Sequence, residues 1–429
     1  MIKLKQLSLL IIAFICLFTS CRDSVKRRMK VNIPVYMSYE KLRADETIHT
    51  DIIEHLDNTG KIYFKDNYIF INDKYEGIHI IDNMDPANPQ NISYITIPGN
   101  TDISIKGNLL YANSFVDLVV IDISNIENAI EVGRLEDAFP YDYPMIENEY
   151  GIYGVDDEKG LIVGWELEEM TIEEQEIYYS NTVDVMMTDD AVMEASADVK
   201  IKSGAANAST GVGGSMAAFK LYDSYLYTIH QSSNIKVFDI TEGLNPVEGE
   251  SVYVTWGIET LFIKENKLFI GAQDGMYIYS LVDAHLPSYI SQFSHIRSCD
   301  PVVVEGDYAY VTLRGGSSCG GFENQLDVID ISNINAPELI KTYTMHNPHG
   351  LGIDSTTLFI CDGDEGLKIF DASDPLKVTD NQLNHFEDID AFDVIPLGGH
   401  LLLIGEDGLH QYDYKDKTAI FLLSTLNMD

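Results

Sequence analysis

Val119-Val120-Ile121-Asp122-Ile123-Ser124 and Leu326-Asp327-Val328-Ile329-Asp330-Ile331-Ser332 are two copies of one line, and that line decides the fold. Each ends an alternating apolar run on Ile-Asp. Each is preceded by a second alternating run, Asn108-Leu109-Leu110-Tyr111 in the first case and Tyr308-Ala309-Tyr310-Val311 in the second. Alternation with period two, bounded by Gly, Asn and Asp, marks strands joined by tight turns. Working outward, the same pair of runs recurs at Tyr68–Ile71 with Gly77–Asp82, Tyr225–Tyr227 with Ile235–Asp239, and Lys267–Ile270 with Gly275–Tyr279. Two more copies are Thr357–Ile360 with Gly366–Asp371 and Leu401–Ile404 with Gly408–Asp413.

The interval between copies sets the architecture. Asp82 to Asp122 is 40 residues, Asp330 to Asp371 is 41 and Asp371 to Asp413 is 42. A period near 40 with several short strands per period is that of a propeller blade. The 117 residues from Asp122 to Asp239 exceed one period. A degenerate copy inside them, Gly151-Ile152-Tyr153-Gly154 with Leu161–Trp165, brings the count to eight, with Trp165 in the Asp place; in the Lys267 copy Tyr279 stands there. The expectation is an all-β chain forming a single propeller of four-stranded blades, eight in number, or seven if the Trp165 copy is not a blade. Runs such as Asp102–Ile105 supply the innermost strand and Asn88–Ile95 the outermost. The Asp closing each line is expected to accept backbone N–H groups in the turn that follows.

The first twenty residues read as a secretory signal. Lys3 and Lys5 precede an apolar run from Leu7 to Phe18, too short to span a bilayer. Phe18-Thr19-Ser20-Cys21 resembles a bacterial lipobox, which implies cleavage before Cys21 and lipidation of that cysteine. Several acyl chains on one residue make a firm membrane anchor. Lys26, Arg27, Arg28 and Lys30 then read as part of a tether beside anionic headgroups. The domain reading is signal peptide 1–20, tether and leading segment 21–58, and propeller 59–429 with an insertion at about 168–215. Gly211-Val212-Gly213-Gly214-Ser215 lacks the Lys of a phosphate loop and is expected to be the turn into the next blade.

The Ile-Asp-Ile-Ser lines resemble the LVIVD repeat of bacterial and archaeal surface proteins, over residues 60–415. With the lipobox, the chain resembles a Bacteroidetes-type lipoprotein family of unassigned activity. The resemblance implies a cell-envelope protein, lipid-anchored and on the outer membrane. It supplies no catalytic residues, since fold does not dictate function.

Composition narrows the partners. Sixty-eight acidic residues against 28 basic give a formal charge of −40, and −42 once residues 1–20 are removed. Nucleic acid is excluded as a partner, because phosphate binding needs a basic surface. No nucleophile elbow, His-Glu-x-x-His or Cys–His pair is present. Only two tryptophans, Trp165 and Trp256, speak against a quinone-cofactor propeller. The expectation is a non-enzymatic binding or scaffold module for a protein or glycan, with a carbohydrate-active or metal-dependent hydrolase at the channel mouth as the alternative. No cofactor is expected, although the channel carboxylates would suit one cation such as calcium.

The candidate binding face carries the loops of the later copies: Asp300, Arg314, His346, His349, Asp362 and Asp364, with Asp102, Asp117, Asp388, Asp390, Glu406 and Asp407 beside them. His346 and His349 with neighbouring carboxylates are a loop-borne metal candidate. Cys299 and Cys319 fall at the same end of one copy, and an oxidising compartment would join them in a disulfide. Cys361 is expected as a buried free thiol.

Overall fold

A computed structural model describes residues 26–51, 56, 59–141, 143–144, 146, 148–173, 209–295, 301–316 and 323–427. The chain divides into two compact units, Arg43–Tyr141 with Ile201–Asp429, and Met1–Leu42 with Asp142–Lys200.

The larger unit is a seven-bladed β-propeller. Its blades follow in chain order, each an antiparallel meander. Blade 1 spans Thr59–Thr96, blade 2 Ile103–Leu135, blade 3 Phe219–Tyr253 and blade 4 Ile258–Ser294. Blade 5 spans Val302–Thr344, blade 6 Leu351–Phe386 and blade 7 Ala391–Asn427. Blade 1 is widened to six strands, by Val212–Gly213 on its inner edge and His49–Asp51 on its outer edge.

The inner strands of each blade bury residues on both faces, so no blade hides its apolar surface alone. Seven buried clusters lie at the seven junctions. Ile80 and Ile95 meet Ile103 and Val119 between blades 1 and 2. Ile71 and Ile81 meet Leu402 and Ile404 between blades 1 and 7. The other five junctions are built in the same way. Burying one such side chain contributes about 1.5–3 kcal/mol, so the ring is held by its junctions.

A second contact repeats around the ring. The outer part of one blade hydrogen-bonds to a carbonyl in the last turn of the next. Ser93 reaches Ile126 O at 2.9 Å, Ser291 reaches Ile334 O at 2.6 Å and Tyr343 reaches Pro375 O at 2.9 Å. Ser424 of blade 7 reaches Pro86 O of blade 1 at 2.6 Å, and Gln411 reaches Asn83 at 2.8 Å. The ring therefore closes by the interaction it uses elsewhere, with no strand exchanged between first and last blades.

The Asp that closes each repeat does what its type suggests. Asp82, Asp122, Asp239, Asp330, Asp371 and Asp413 each accept the N–H two residues on, at 2.8–3.0 Å. In blade 4 the ladder pairs Lys267 with Ser280, as it pairs Tyr68 with Asp82 in blade 1. Ser280, not Tyr279, thus holds the Asp place, and its Oγ accepts from Val282 N at 3.3 Å.

The eighth copy is not a blade. In the smaller unit Leu161–Glu173 forms one long strand that pairs antiparallel with Lys26–Met37. A blade needs four short strands with turns between them; this stretch supplies one strand, and residues 151–154 offer only a single bridge, Asn32 to Ile152. Trp165 donates its indole N–H to Pro144 O at 2.8 Å instead of opening a turn. The basic segment expected as a tether is, from Lys26 onward, the first part of this ribbon, with Arg28 on Glu169 at 2.9 Å. Buried Asn32 locks it, exchanging amide hydrogen bonds with Asn148 at 3.0 Å and donating to Tyr150 O.

Candidate functional site

In each blade the antiparallel meander puts two kinds of connection at opposite ends. The links between blades and those between second and third strands form a loop face. The tight hairpins and the Asp turns form a turn face.

The chain itself runs along the inner edge of the ring. Ser209 enters at the turn face, where its carbonyl accepts from Gly107 N at 2.8 Å. Val212–Gly213 then climbs along the innermost strand of blade 1. The glycines of this run are there for clearance. A Cβ on Gly214 would sit 2.0 Å from the Asp393 carboxylate, and one on Gly213 would sit 2.6 Å from the Tyr63 ring. Gly211–Ser215, expected as a simple turn, is this channel segment.

Two buried carboxylates receive the segment near the loop face. Asp393 accepts from Ser215 N at 3.2 Å, Ser215 Oγ at 3.0 Å and Met216 N at 3.3 Å. Asp102 accepts from Ala218 N at 2.6 Å and pairs with Lys61. Ser215 Oγ in turn accepts from Leu351 N of blade 6. From the other side Lys220 donates to Gly213 O and Gly214 O at 3.4 and 3.1 Å. Burial pushes the Asp393 carboxyl up to about 6 and the Lys220 ammonium down to about 8. Both are charged at neutral pH and straddle the segment. Asp102, one of the acids expected beside the binding face, here accepts from a backbone N–H. Asp393 escaped sequence reasoning; nothing in Phe392-Asp393-Val394 distinguishes it from a strand-edge acid.

Above this floor, the loops of blades 5 and 6 assemble most of the expected residues. Asp362 is fully buried. It accepts from His346 N at 3.0 Å and Asn347 N at 2.8 Å, and it pairs with Lys368. It is the hub that fixes the 345–350 loop and does not face a ligand. The hub leaves His346 and Asp364 exposed, 53% and 70% by side chain, with His346 Nε2 3.3 Å from Asp364 Oδ1. His349 lies deeper. Its N–H donates to Cys361 O at 2.7 Å and its carbonyl accepts from Thr312. Burial, reinforced by the Arg314 charge, pulls its imidazole down to about 4, so it is neutral at pH 7. Burial lowers the half-buried Arg314 as well, against the charge of Glu259.

Asp390 carries a carboxyl raised first by burial and then by the charges of Glu406, Asp364 and Asp407. Among the described residues no three His, Cys, Asp or Glu side chains gather as a metal site. Asp117, also expected on the face, is fully buried and gripped by Arg43 and Arg134 at 2.9 and 2.8 Å. Cys361 is buried with a free thiol. Asp300, the Cys299–Cys319 pair and lipobox Cys21 lie outside the described residues.

The LVIVD repeat family model matches residues 58–96, 99–137 and 296–345. No curated protein matches the chain. Among solved structures, Saccharomyces cerevisiae Sqt1 superposes with a TM-score of 0.50 at 9% identity, over 87% of each chain. The computationally designed Ika8 protein gives 0.49 at 11% identity, over 87% of this chain and 88% of its own. BamB from Moraxella catarrhalis gives 0.45 at 7%, over 82% and 80%. At such identity the likeness to Sqt1 speaks for the fold alone.

Proposed function

We propose that this chain, a β-propeller carrying LVIVD repeats, is a cell-envelope lipoprotein that binds a protein or glycan partner at its loop face without chemically altering it. A propeller of this kind fits a binding or scaffold module. The observation that carries the reading is the Asp362 hub. A fully buried carboxylate holds the 345–350 loop, which presents His346 to solvent 3.3 Å from exposed Asp364, while Asp364, Glu406 and Asp407 all act on the charge of Asp390. Prearranged polar groups on a rigid frame are what a binding face needs, because they cut the ordering cost of association. The acidic character favours a partner with basic or hydroxyl-rich groups.

The two buried channel acids are not placed to act on a glycoside. Hydrolysis of a glycoside requires two carboxyl groups free to face substrate. The buried channel acids Asp102 and Asp393 accept hydrogen bonds from the chain's own amides instead. Anchoring rests on the Phe18–Cys21 lipobox: after cleavage, acylated Cys21 would hold the propeller at the outer membrane.

Purified mature protein, presented to a glycan array, to envelope extracts and to a broad hydrolase panel, tests this. Binding without turnover, reduced at least tenfold by His346→Ala with Asp364→Lys, is the expected result. Turnover that survives purification and falls with either substitution would contradict it. Cys21→Ala should abolish incorporation of labelled palmitate and release the protein from membranes; an unchanged membrane fraction would count against the anchor.

A further inference from the structure

An arc of residues crosses the loop face from blade 5 to blade 1. Arg314 follows the second strand of blade 5, and His349 lies in the link from blade 5 to blade 6. Phe392 stands at the start of blade 7, and Lys74 follows the second strand of blade 1. The backbone sets them side by side. Thr312, two residues before Arg314, donates its hydroxyl to His349 O at 2.7 Å. Gly315 N donates to Asn324 Oδ1 at 2.9 Å, and the Asn324 amide donates in turn to His346 O. Gly350 N donates to Phe392 O at 2.9 Å, and the His349 and Phe392 rings lie 5.5 Å apart. Lys74 Nζ stands 6.0 Å from the centre of the Phe392 ring.

Both cations of the arc lack a counter-ion. Among the described residues no carboxylate pairs with Arg314 or Lys74, and neither head group donates a hydrogen bond. Arg28, Arg43 and Arg134, by contrast, each hold a carboxylate at 2.7–2.9 Å. In a chain with 68 acidic residues against 28 basic, counter-ions are abundant. Arg314 is half-buried, and burial lowers its pKa against the charge of Glu259. Taking a charge out of water without pairing it costs free energy. His349 Nδ1 is buried beside it, also with no hydrogen-bond partner. The fold therefore holds a guanidinium ready for an anion that it does not itself supply.

The surroundings narrow that anion. A guanidinium takes a carboxylate through two parallel hydrogen bonds. The half-buried Phe392 ring offers an apolar face between the two cations, which suits the C–H face of a sugar ring. Exposed Asp364, whose charge acts on the His349 imidazole, can accept from hydroxyl groups. The same acid, with a net charge of −40, repels a densely charged polyanion. We infer that the arc binds an acidic sugar, with a uronate carboxylate on Arg314, its ring over Phe392 and the next carboxylate of the glycan on Lys74. The assignment rests on the loop-face binding reading and names the ligand chemistry of its glycan branch.

Trigalacturonate, its methyl ester and the acetylated peptide amide Glu-Gly-Glu-Gly-Glu test it by isothermal titration calorimetry with the full chain at 150 mM salt. The ester keeps the rings and loses the charge; the peptide keeps the charge and loses the rings. Trigalacturonate should bind at least tenfold more tightly than either. Arg314→Met should weaken it at least tenfold and Lys74→Met at least threefold. Arg314→Met should also leave the Tm of the ligand-free protein unchanged or raised, since it removes an unpaired charge; a lowered Tm would mark Arg314 as structural and overturn the inference. Equal affinity for acid and ester, a peptide that binds as tightly, or no binding up to 1 mM would overturn it as well. Glycan-array signals that fall with His346→Ala and Asp364→Lys but not with Arg314→Met would overturn the acidic sugar and leave the loop-face reading standing.

Discussion

Asp393 shows how one residue ties sequence, fold and function. Its carboxylate sits in the ring with no access to bulk water, and it is held there by three donors from the channel segment and its own neighbour Val394 N. Because its folded-state pKa is raised to about 6 from 3.8, the folded protein binds a proton more readily than the unfolded chain does. The associated stability is present at low pH and is lost as pH rises from about 4 through 6, by about 3 kcal/mol at 1.36 kcal/mol per unit. Lys220 has the opposite sense: its pKa is lowered to about 8, so its contribution grows as pH rises above 8. Urea unfolding of the parent and of Asp393→Asn across pH 4–8 measures the first effect. The difference between the two should change between pH 4 and 6 and flatten above; a constant difference would refute the role given to this carboxyl. Gly214→Ala pushes a Cβ into the same carboxylate and should cost about 1–3 kcal/mol, where Gly164, which has nothing near its Cβ and no left-handed φ, offers a control for the backbone alone.

At the scale of the element, the repeated turn is the unit on which every blade depends. Asp330, Asp371 and Asp413 are held below the usual carboxylate range by the N–H groups and side chains they bind, as are Asp374 and Asp416 one turn on. Lowered pKa values mean stability present above about pH 4 and lost as pH falls through the folded-state values. Asp122→Ala should lower the Tm, whereas Asp122→Asn should nearly preserve it, since an amide oxygen still accepts from Ser124 N. Ser280→Asp, which installs the missing carboxylate in blade 4, should raise it. Scanning calorimetry of the three variants decides; equal loss from Ala and Asn would show that charge, and not the turn hydrogen bond, matters.

These turns were legible in the sequence because Ile-x-Asp chemistry is local. The Trp165 copy was misleading for the same reason: alternation says that a segment is a strand, not which strand it pairs with. Leu161–Glu173 found Lys26–Met37, over a hundred residues away. On the candidate face, His346 and Asp364 were legible as exposed loop residues. Asp362 and Asp117 were not legible as buried hubs, since nothing in the neighbouring residues reveals the arginines, lysine and amides that the fold delivers to them.

For the molecule as a whole, the larger unit is a ring of seven sheets with its core divided among seven junctions, and residues 209–218 run along the inner edge of that ring. The assignment of Asp102 and Asp393 to structure depends on the docking of that segment. Hydrogen exchange at the amides of Ser215, Met216 and Ala218, followed by mass spectrometry, tests it most directly. Exchange of amides buried and bonded in a cooperative core tracks global unfolding. These three should exchange as slowly as the innermost strands of the blades in the parent protein, and markedly faster in Asp393→Ala. Exchange at the rate of an unstructured chain in the parent would show an undocked segment and contradict the account.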